Sequence, residues 1–261
     1  MFSDYIVPIL IILAISAVLA FLLSFLGEKL KVEKDPVIDE IRAHLSGANC
    51  GGCGYAGCDL FAEAVFKGEA DINSCNPTSC EAKLAIAKLL GKTIEIQEPT
   101  VAVVHCNGGD ACKKFANYIG YDNCKYAASV GGGLACSVGC LGLGSCKAVC
   151  DRNAVKLENG VSKIDKEICG SCGQCINQCP YNLIDRIPKS AKVYVACSNK
   201  CKGKEVISAC SNGCIACGLC EKNCPSGAIT VKNNIAVIDY SKCTGCMICV
   251  EKCPKKCIHK H

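Results

Sequence analysis

Two stretches of this chain carry chemistry in their spacing alone. Cys214, Cys217, Cys220, Cys224-Pro225 and Cys243, Cys246, Cys249, Cys253-Pro254 both read C-x2-C-x2-C-x3-C-P, and their first cysteines stand 29 residues apart. Three thiolates at this spacing close on one 4Fe-4S cluster, while the fourth crosses to the cluster of the other run. Crossing gives Cys214, Cys217, Cys220 and Cys253 to one cluster, and Cys243, Cys246, Cys249 and Cys224 to its neighbour.

The same constellation lies upstream. Cys140, Cys146, Cys150, Cys169, Cys172, Cys175 and Cys179 each precede a cysteine of those runs by 74 residues. Cys169, Cys172, Cys175 and Cys150 make one complete set. The other set is defective, because the position equivalent to Cys217 is Leu143, and a leucine cannot ligate iron. Either Cys136 joins Cys140, Cys146 and Cys179, or those three hold a three-iron cluster. Cys136 is the preferred reading, since Gly131-Gly132-Gly133 gives the backbone freedom to bend it back. A fifth set, Cys50, Cys53, Cys58 and Cys75, is spaced C-x2-C-x4-C-x16-C in a glycine-rich loop. Zinc is its rival occupant, because four thiolates also satisfy zinc, but the neighbouring ferredoxin runs favour a cluster. Cys80 reads as a core thiol, and Cys257 as packing.

Cys106, Cys112, Cys124, Cys197, Cys201 and Cys210 are left over. A further site between the repeats, built for instance from Cys106, Cys124, Cys197 and Cys210, is the open question. Five 4Fe-4S clusters are expected, with a sixth depending on that site. His105, His259 and His261 read as surface or tail residues.

Composition narrows the class. Cysteines number 28 of 261 residues, and they sit in C-x2-C groups beside Gly and Pro, which points to cluster ligation in a reducing compartment instead of disulfides. The formal charge of +5 counts every thiol as neutral. Each ligated 4Fe-4S(2+) core carries about −2, so five of them bring the chain to about −5. A basic protein seeking nucleic acid is therefore not indicated, and no basic run interleaved with aromatics suggests one. No G-x-G-x-x-G follows a strand to hold a dinucleotide, and no nucleophile and base stand out. No catalytic residue is expected beyond the clusters.

The elements that must position these thiols are short, with one exception. Tyr5 to Gly27 is free of charge, and Ile6 to Leu26 is nearly all aliphatic, about 30 Å of helix and so one bilayer span. The run lacks the basic start and cleavage site of a signal peptide. Lys29, Lys31 and Lys34 follow it while only Asp4 precedes it, which places the Cys-rich bulk in the cytoplasm. Asp35-Pro36 starts a helix. Further helices are expected from Leu60 to Lys67, stopped by Gly68, and from Pro77 to Leu90, stopped by Gly91. Glu158-Asn159-Gly160 and Asn233-Asn234 mark hairpins, and an apolar strand precedes each repeat at 101–106 and 192–197. The expectation is an α+β chain in four parts: a transmembrane anchor over 1–34, a small helical 4Fe-4S domain over 35–98, and two tandem ferredoxin-like units over 99–190 and 191–261.

The order of parts resembles the B subunit of the Rnf complex, the membrane ferredoxin:NAD oxidoreductase. The resemblance rests on the apolar helix, the Cys50 to Cys75 spacing, the paired motifs ending Cys253-Pro254-Lys255-Lys256-Cys257-Ile258, and Gly139-Cys140-Leu141-Gly142-Leu143-Gly144-Ser145-Cys146. The tandem second unit is similar to the longer variant of anaerobic bacteria. The resemblance implies a membrane-anchored electron-transfer subunit of a translocase. It would take electrons from reduced ferredoxin and pass them to membrane-embedded and flavin-bearing subunits, with the redox drop driving Na+ or H+ across the cell membrane. Lys200, Lys202 and Lys204, or Lys252, Lys255 and Lys256, would then receive an acidic ferredoxin. The rivals are a cluster subunit of a hydrogenase or formate-oxidising membrane complex, and a non-redox zinc or sensing module.

Overall fold

The computed structural model describes residues 3–29 and 35–261. Lys31 and Lys34 lie outside the described residues. The chain divides into two compact units, Met1–Glu40 and Ile41–His261.

The first unit holds helix α1, Ser3–Lys29. Its stretch Ile9–Leu26 is long and apolar enough to cross a membrane, and its side chains are exposed all round, as those of a helix meant for lipid are. Asp35 caps α2 (Pro36–His44), its Oδ1 accepting the Val37 N–H at 2.9 Å.

The second unit begins where α2 buries Ile41. Helix α3, Cys58–Lys67, ends at Gly68 in the left-handed conformation, and buries Phe61, Ala62 and Val65. Helix α4 runs Cys80–Leu89, three residues later than the sequence suggests. The reason is local: the Ser79 hydroxyl accepts the Ala82 N–H at 3.2 Å and so becomes the N-cap.

Two structural repeats follow. The first opens with β1 (Thr100–Val104), passes through α5 (Cys124–Ser129) and α6 (Ser145–Ala148), forms the hairpin β2 (Val155–Glu158) and β3 (Val161–Ile164), and closes with α7 (Gln174–Gln178) and β4 (Ile184–Pro188). The second repeats the plan with β5 (Val193–Val195), α8 (Gly203–Ala209), α9 (Leu219–Lys222), hairpin β6 (Ile229–Lys232) and β7 (Ile235–Ile238), α10 (Ile248–Lys252) and β8 (Ile258–Lys260). Asn159-Gly160 and Asn233-Asn234 are all at positive φ, between 50° and 73°, as two-residue hairpin turns between twisted strands require. In each repeat the leading strand pairs antiparallel with the last one, β1 with β4 and β5 with β8.

Each repeat has its own core. Ala102, Val104, Val155, Val161 and Leu183 pack together in the first, and Val193, Val195, Ile229, Ile235 and Ile258 in the second. The alternate face of β1, Val101 and Val103, packs with Ile187 against Tyr194 and Tyr240 of the second repeat. Alternation thus lets a five-residue strand serve both its own core and the seam between repeats.

The three histidines are not surface or tail residues. His105 Nδ1 meets the Val195 carbonyl at 2.6 Å, and His105, His259 and His261 ring Tyr194. The final strand pairs with β5, which draws what reads as a tail into the seam.

Candidate iron–sulfur sites

Tight loops with left-handed residues deliver the cysteines. Gly144, Gly173 and Gly218, all at positive φ, immediately precede α6, α7 and α9, so the chain turns sharply before each helix presents its thiols. The fourth cysteine of each run is held the same way throughout. Cys150 Sγ accepts the Ala154 N–H and Cys179 Sγ the Leu183 N–H, both at 3.3 Å, and Cys224 and Cys253 accept from Ala228 and Cys257. A sulfur that already accepts N–H bonds is placed to carry the negative charge of a ligated thiolate.

In the second repeat Cys214, Cys217, Cys220 and Cys253 line one cavity, here termed site D, and Cys224, Cys243, Cys246 and Cys249 line another, site E. In the first repeat Cys172 and Cys175 have Cys169 and Cys150 as neighbouring thiols, making site B. Site C differs from the expectation. Its cavity is lined by Cys140, Cys146, Cys179 and Cys124, whereas Cys136 faces a different pocket. Cys124 is held there by its own amide, which donates to the Ser145 hydroxyl at 2.8 Å, next to Cys146. The three glycines do turn the chain, at φ of 85°, 64° and 73°, but they lead Cys136 away from site C. Asn199 of the second repeat meets it instead, Nδ2 donating to Cys136 Sγ at 3.4 Å.

Site A is the loop from Cys50 to Cys58 together with Cys75. Asn49 Oδ1 accepts the Cys58 N–H at 2.8 Å, pinning the loop's two ends. The Thr78 hydroxyl joins loop and turn, accepting the Ser46 N–H at 3.3 Å and contacting Cys75 Sγ at 3.1 Å. Cys80, the first residue of α4, is half-buried.

These sites adjoin one another. Gln174 Nε2 donates to the Cys50 carbonyl at 3.0 Å, and Gly52 lies so close to Cys172 that a Cβ there would stand 2.3 Å from its carbonyl oxygen. Site A is thus seated on site B. Cys146 of site C is among the thiols neighbouring Cys175 of site B.

Burial opposes ionisation of the free thiols. It pushes Cys106 and Cys175 up to about 12, and Cys220 to about 11. A coordinated cation reverses this and deprotonates the thiol outright. Cys214 and Cys253 go the other way, to about 6 and about 5, chiefly because Cys257 donates its S–H to them. Cys257 itself is pushed up by the same two contacts. The cysteine read as packing is therefore a hydrogen-bond donor to two sulfurs of site D.

The donor set fits iron–sulfur clusters better than single ions. Among the described residues no three Cys, His, Asp or Glu side chains converge as one metal ion requires. The thiols stand around cavities, with their sulfurs already accepting N–H bonds.

Comparison with known proteins agrees. Family models for an Fe-S cluster domain, a 4Fe-4S binding domain and a 4Fe-4S dicluster domain match residues 45–77, 162–185 and 213–257. The B subunit of the ion-translocating oxidoreductase complex of Methanosarcina acetivorans is 40% identical over 231 residues, covering 87% of this chain and 88% of that protein. The chain belongs to that B-subunit family. Two further members of this Rnf-type family are equally similar. The B subunit of the Na(+)-translocating ferredoxin:NAD(+) oxidoreductase complex of Acetobacterium woodii is 40% identical over 261 residues, with 99% and 78% covered. The proton-translocating counterpart of Clostridium ljungdahlii is 40% identical over 257 residues, with 95% and 90% covered. The first family model spans Cys50, Cys53, Cys58 and Cys75 and stops short of Cys80.

Proposed function

We propose that this chain is the electron-transfer subunit of an Rnf-type complex, anchored by α1 as a single span with its remaining parts in the cytoplasm. Reduced ferredoxin gives it electrons, which its 4Fe-4S clusters relay to membrane and flavin-bearing subunits that reduce NAD and move Na+ or H+. The observation that carries this reading is adjacency: thiol sets A, B and C abut through Cys50, Cys172, Cys175 and Cys146, and D and E share helices α9 and α10.

The ligand sets of the reading are Cys50, Cys53, Cys58 and Cys75 for A; Cys150, Cys169, Cys172 and Cys175 for B; Cys124, Cys140, Cys146 and Cys179 for C; Cys214, Cys217, Cys220 and Cys253 for D; and Cys224, Cys243, Cys246 and Cys249 for E. A 4Fe-4S cluster held by each set would supply one-electron transfer. This chain's own residues hold the clusters close, keep water out with the two repeat cores, and set potentials through N–H and S–H bonds to sulfur. In this reading the parts keep the boundaries proposed from sequence: anchor 1–34, helical cluster domain 35–98, ferredoxin-like units 99–190 and 191–261.

Ferredoxin is acidic as a class, and Lys202, Lys204, Lys252 and Lys256 are exposed on the second repeat, where they would meet it. Full-length protein purified without oxygen and mixed with reduced ferredoxin tests the function. Bleaching of the cluster absorbance at least as fast as the complex turns over supports it. A colourless, EPR-silent protein, or one that ferredoxin cannot reduce, overturns it.

A further inference from the structure

The first repeat carries a stretch that the second lacks. From Cys106 to Cys136 it runs 30 residues, where the second repeat runs 13 from Cys197 to Cys210. We propose that the lobe formed by this extra stretch, residues 113–133, dips into an anionic bilayer surface and seats the folded body on the membrane, a contact that presupposes the reading of α1 as a span.

The lobe displays apolar surface that the rest of the body does not. Phe115, Ile119, Tyr121, Tyr126 and Val130 are between 62% and 95% exposed, whereas no other large apolar side chain exceeds 53% among the described residues outside α1. Within 113–133 only Ala127 and Gly133 are buried, so these side chains have no core of their own to enter. They are tied together. The Phe115 N–H donates to the Gly133 carbonyl at 3.0 Å and the Gly132 N–H to the Ala127 carbonyl at 2.9 Å, which joins the start of the lobe to the turn after α5. Tyr126 and Val130 stand four residues apart on α5 and its C-cap, hence on one face. The Tyr121 and Tyr126 rings lie 6.2 Å apart, and the Tyr118 hydroxyl donates to the Tyr121 carbonyl at 3.1 Å, closing the tip that carries Ile119.

The chemistry of this surface selects a bilayer as its occupant. Tyrosine, an apolar ring with a polar tip, is enriched where a membrane meets water, and Tyr118, Tyr121 and Tyr126 follow one another within nine residues. Lys113, Lys114 and Lys125 are exposed beside them, and the lobe's one acidic residue is Asp122. Lysine is depleted where proteins meet one another. It is drawn to anionic headgroups, and with aromatic and aliphatic neighbours it makes the pattern of an interfacial anchor. Residues 30–35 alone separate α1 from α2, so α1 offers its bilayer to the body at high effective concentration, and a weak second contact suffices.

The lobe also supplies Cys124, which opens α5 and lines the site C cavity. Asn123 Oδ1 caps that helix, accepting the Lys125 N–H at 2.8 Å, so the exposed face and the thiol belong to one short element. Contact with lipid therefore places site C beside the bilayer, the side on which membrane-embedded subunits lie.

The chain contains no tryptophan, which makes a single introduced one a specific reporter. Full-length Ile119→Trp protein, purified without oxygen and matching the parent in cluster absorbance, is placed in phosphatidylglycerol nanodiscs whose acyl chains either carry bromine, a contact quencher of indole, or do not. The protein's own chromophores quench equally in both, so the ratio reports lipid contact. The lobe's insertion predicts that bromine removes about half or more of the emission, and little of it from Ile207→Trp on α8. Leu13→Trp in α1 is the control for the anchor. Quenching of Leu13→Trp without quenching of Ile119→Trp overturns the lobe's contact and leaves the span standing. Quenching of neither overturns the span, and the proposal with it. Ile119→Trp emission that ignores bromine but shifts when the partner subunits are added gives the lobe to a protein and overturns the bilayer as its occupant. Equal quenching in phosphatidylcholine nanodiscs overturns the part assigned to the lysines.

Discussion

Gly52→Ala severs site A from site B by adding a single methyl group. The new Cβ would stand 2.3 Å from the Cys172 carbonyl oxygen and 3.2 Å from its carbon, where ordinary contact begins at 3.4 Å. The obstacle is backbone in a loop that carries a ligand, so about 1.1 Å of separation must come from moving one loop away from the other. Overpacking of this kind costs about 1–3 kcal/mol, a factor of roughly 5 to 150 in the population of the docked arrangement. The Gln174–Cys50 bond across the same contact is lost with it. Cluster content does not change, because no ligand is touched. Full-length variant protein is mixed with reduced ferredoxin and freeze-quenched, and site A is followed by EPR. Its reduction slows at least fivefold, while dithionite, small enough to reach every site, reduces it as in the parent protein. Unchanged ferredoxin-driven reduction would refute the reasoning that the Gly52–Cys172 contact is the electron's way between these sites.

Other perturbations follow from the same geometry. Cys124→Ala abolishes the site C spectrum, and adding Leu143→Cys restores it, because that change recreates the C-x2-C spacing of site D; failure of the rescue argues against Cys124 as the fourth ligand. Cys257→Ala removes S–H donation to Cys214 and Cys253, which stabilises the reduced, more negative cluster, so the potential of site D falls by about 20–60 mV for one hydrogen bond of ordinary strength; a redox titration that finds no fall removes the role. Burial lowers the pKa of His259 beside Lys163, and of His261 beside Lys166 and Glu167. The unfolded chain then binds more protons than the folded one, so stability is full above about pH 6.5 and drains as pH falls below it. Anaerobic melting of the His259→Phe protein shows a weaker loss between pH 7 and 5; an identical pH profile contradicts the burial. Replacing Lys200, Lys202 and Lys204, or Lys252, Lys255 and Lys256, by Glu slows reduction by ferredoxin at low salt and much less at high salt, and unchanged rates for both trios exclude them as the docking surface.

What could be read from the residues alone depended on how local the cause was. The C-x2-C-x2-C-x3-C spacing, the Asn159-Gly160 and Asn233-Asn234 turns and the Gly68 stop act over a few residues, and each is visible as a motif. The start of α4 differs from the expectation because Ser79, two residues beyond Pro77, supplies the N-cap. That Cys124, and not Cys136, lines the site C cavity was not legible, because the contacts that place them, with the Ser145 hydroxyl and the Asn199 amide, are made across the fold. The pairing of β5 with β8 was hidden for another reason. A three-residue strand shows no period, so His259 and His261 looked like a frayed end. Cys257 gave no signal beyond its spacing, since an S–H that donates to sulfur looks like any packed thiol in a sequence.

The claim on which all of this depends is that the clusters form one relay for electrons from ferredoxin. Rapid-freeze EPR of the full-length protein mixed with excess reduced ferredoxin tests it most directly, with dithionite as the freely diffusing control. The account predicts that ferredoxin reduces sites A to C and sites D and E alike, on one timescale. A half that stays oxidised with ferredoxin while dithionite reduces it would contradict it.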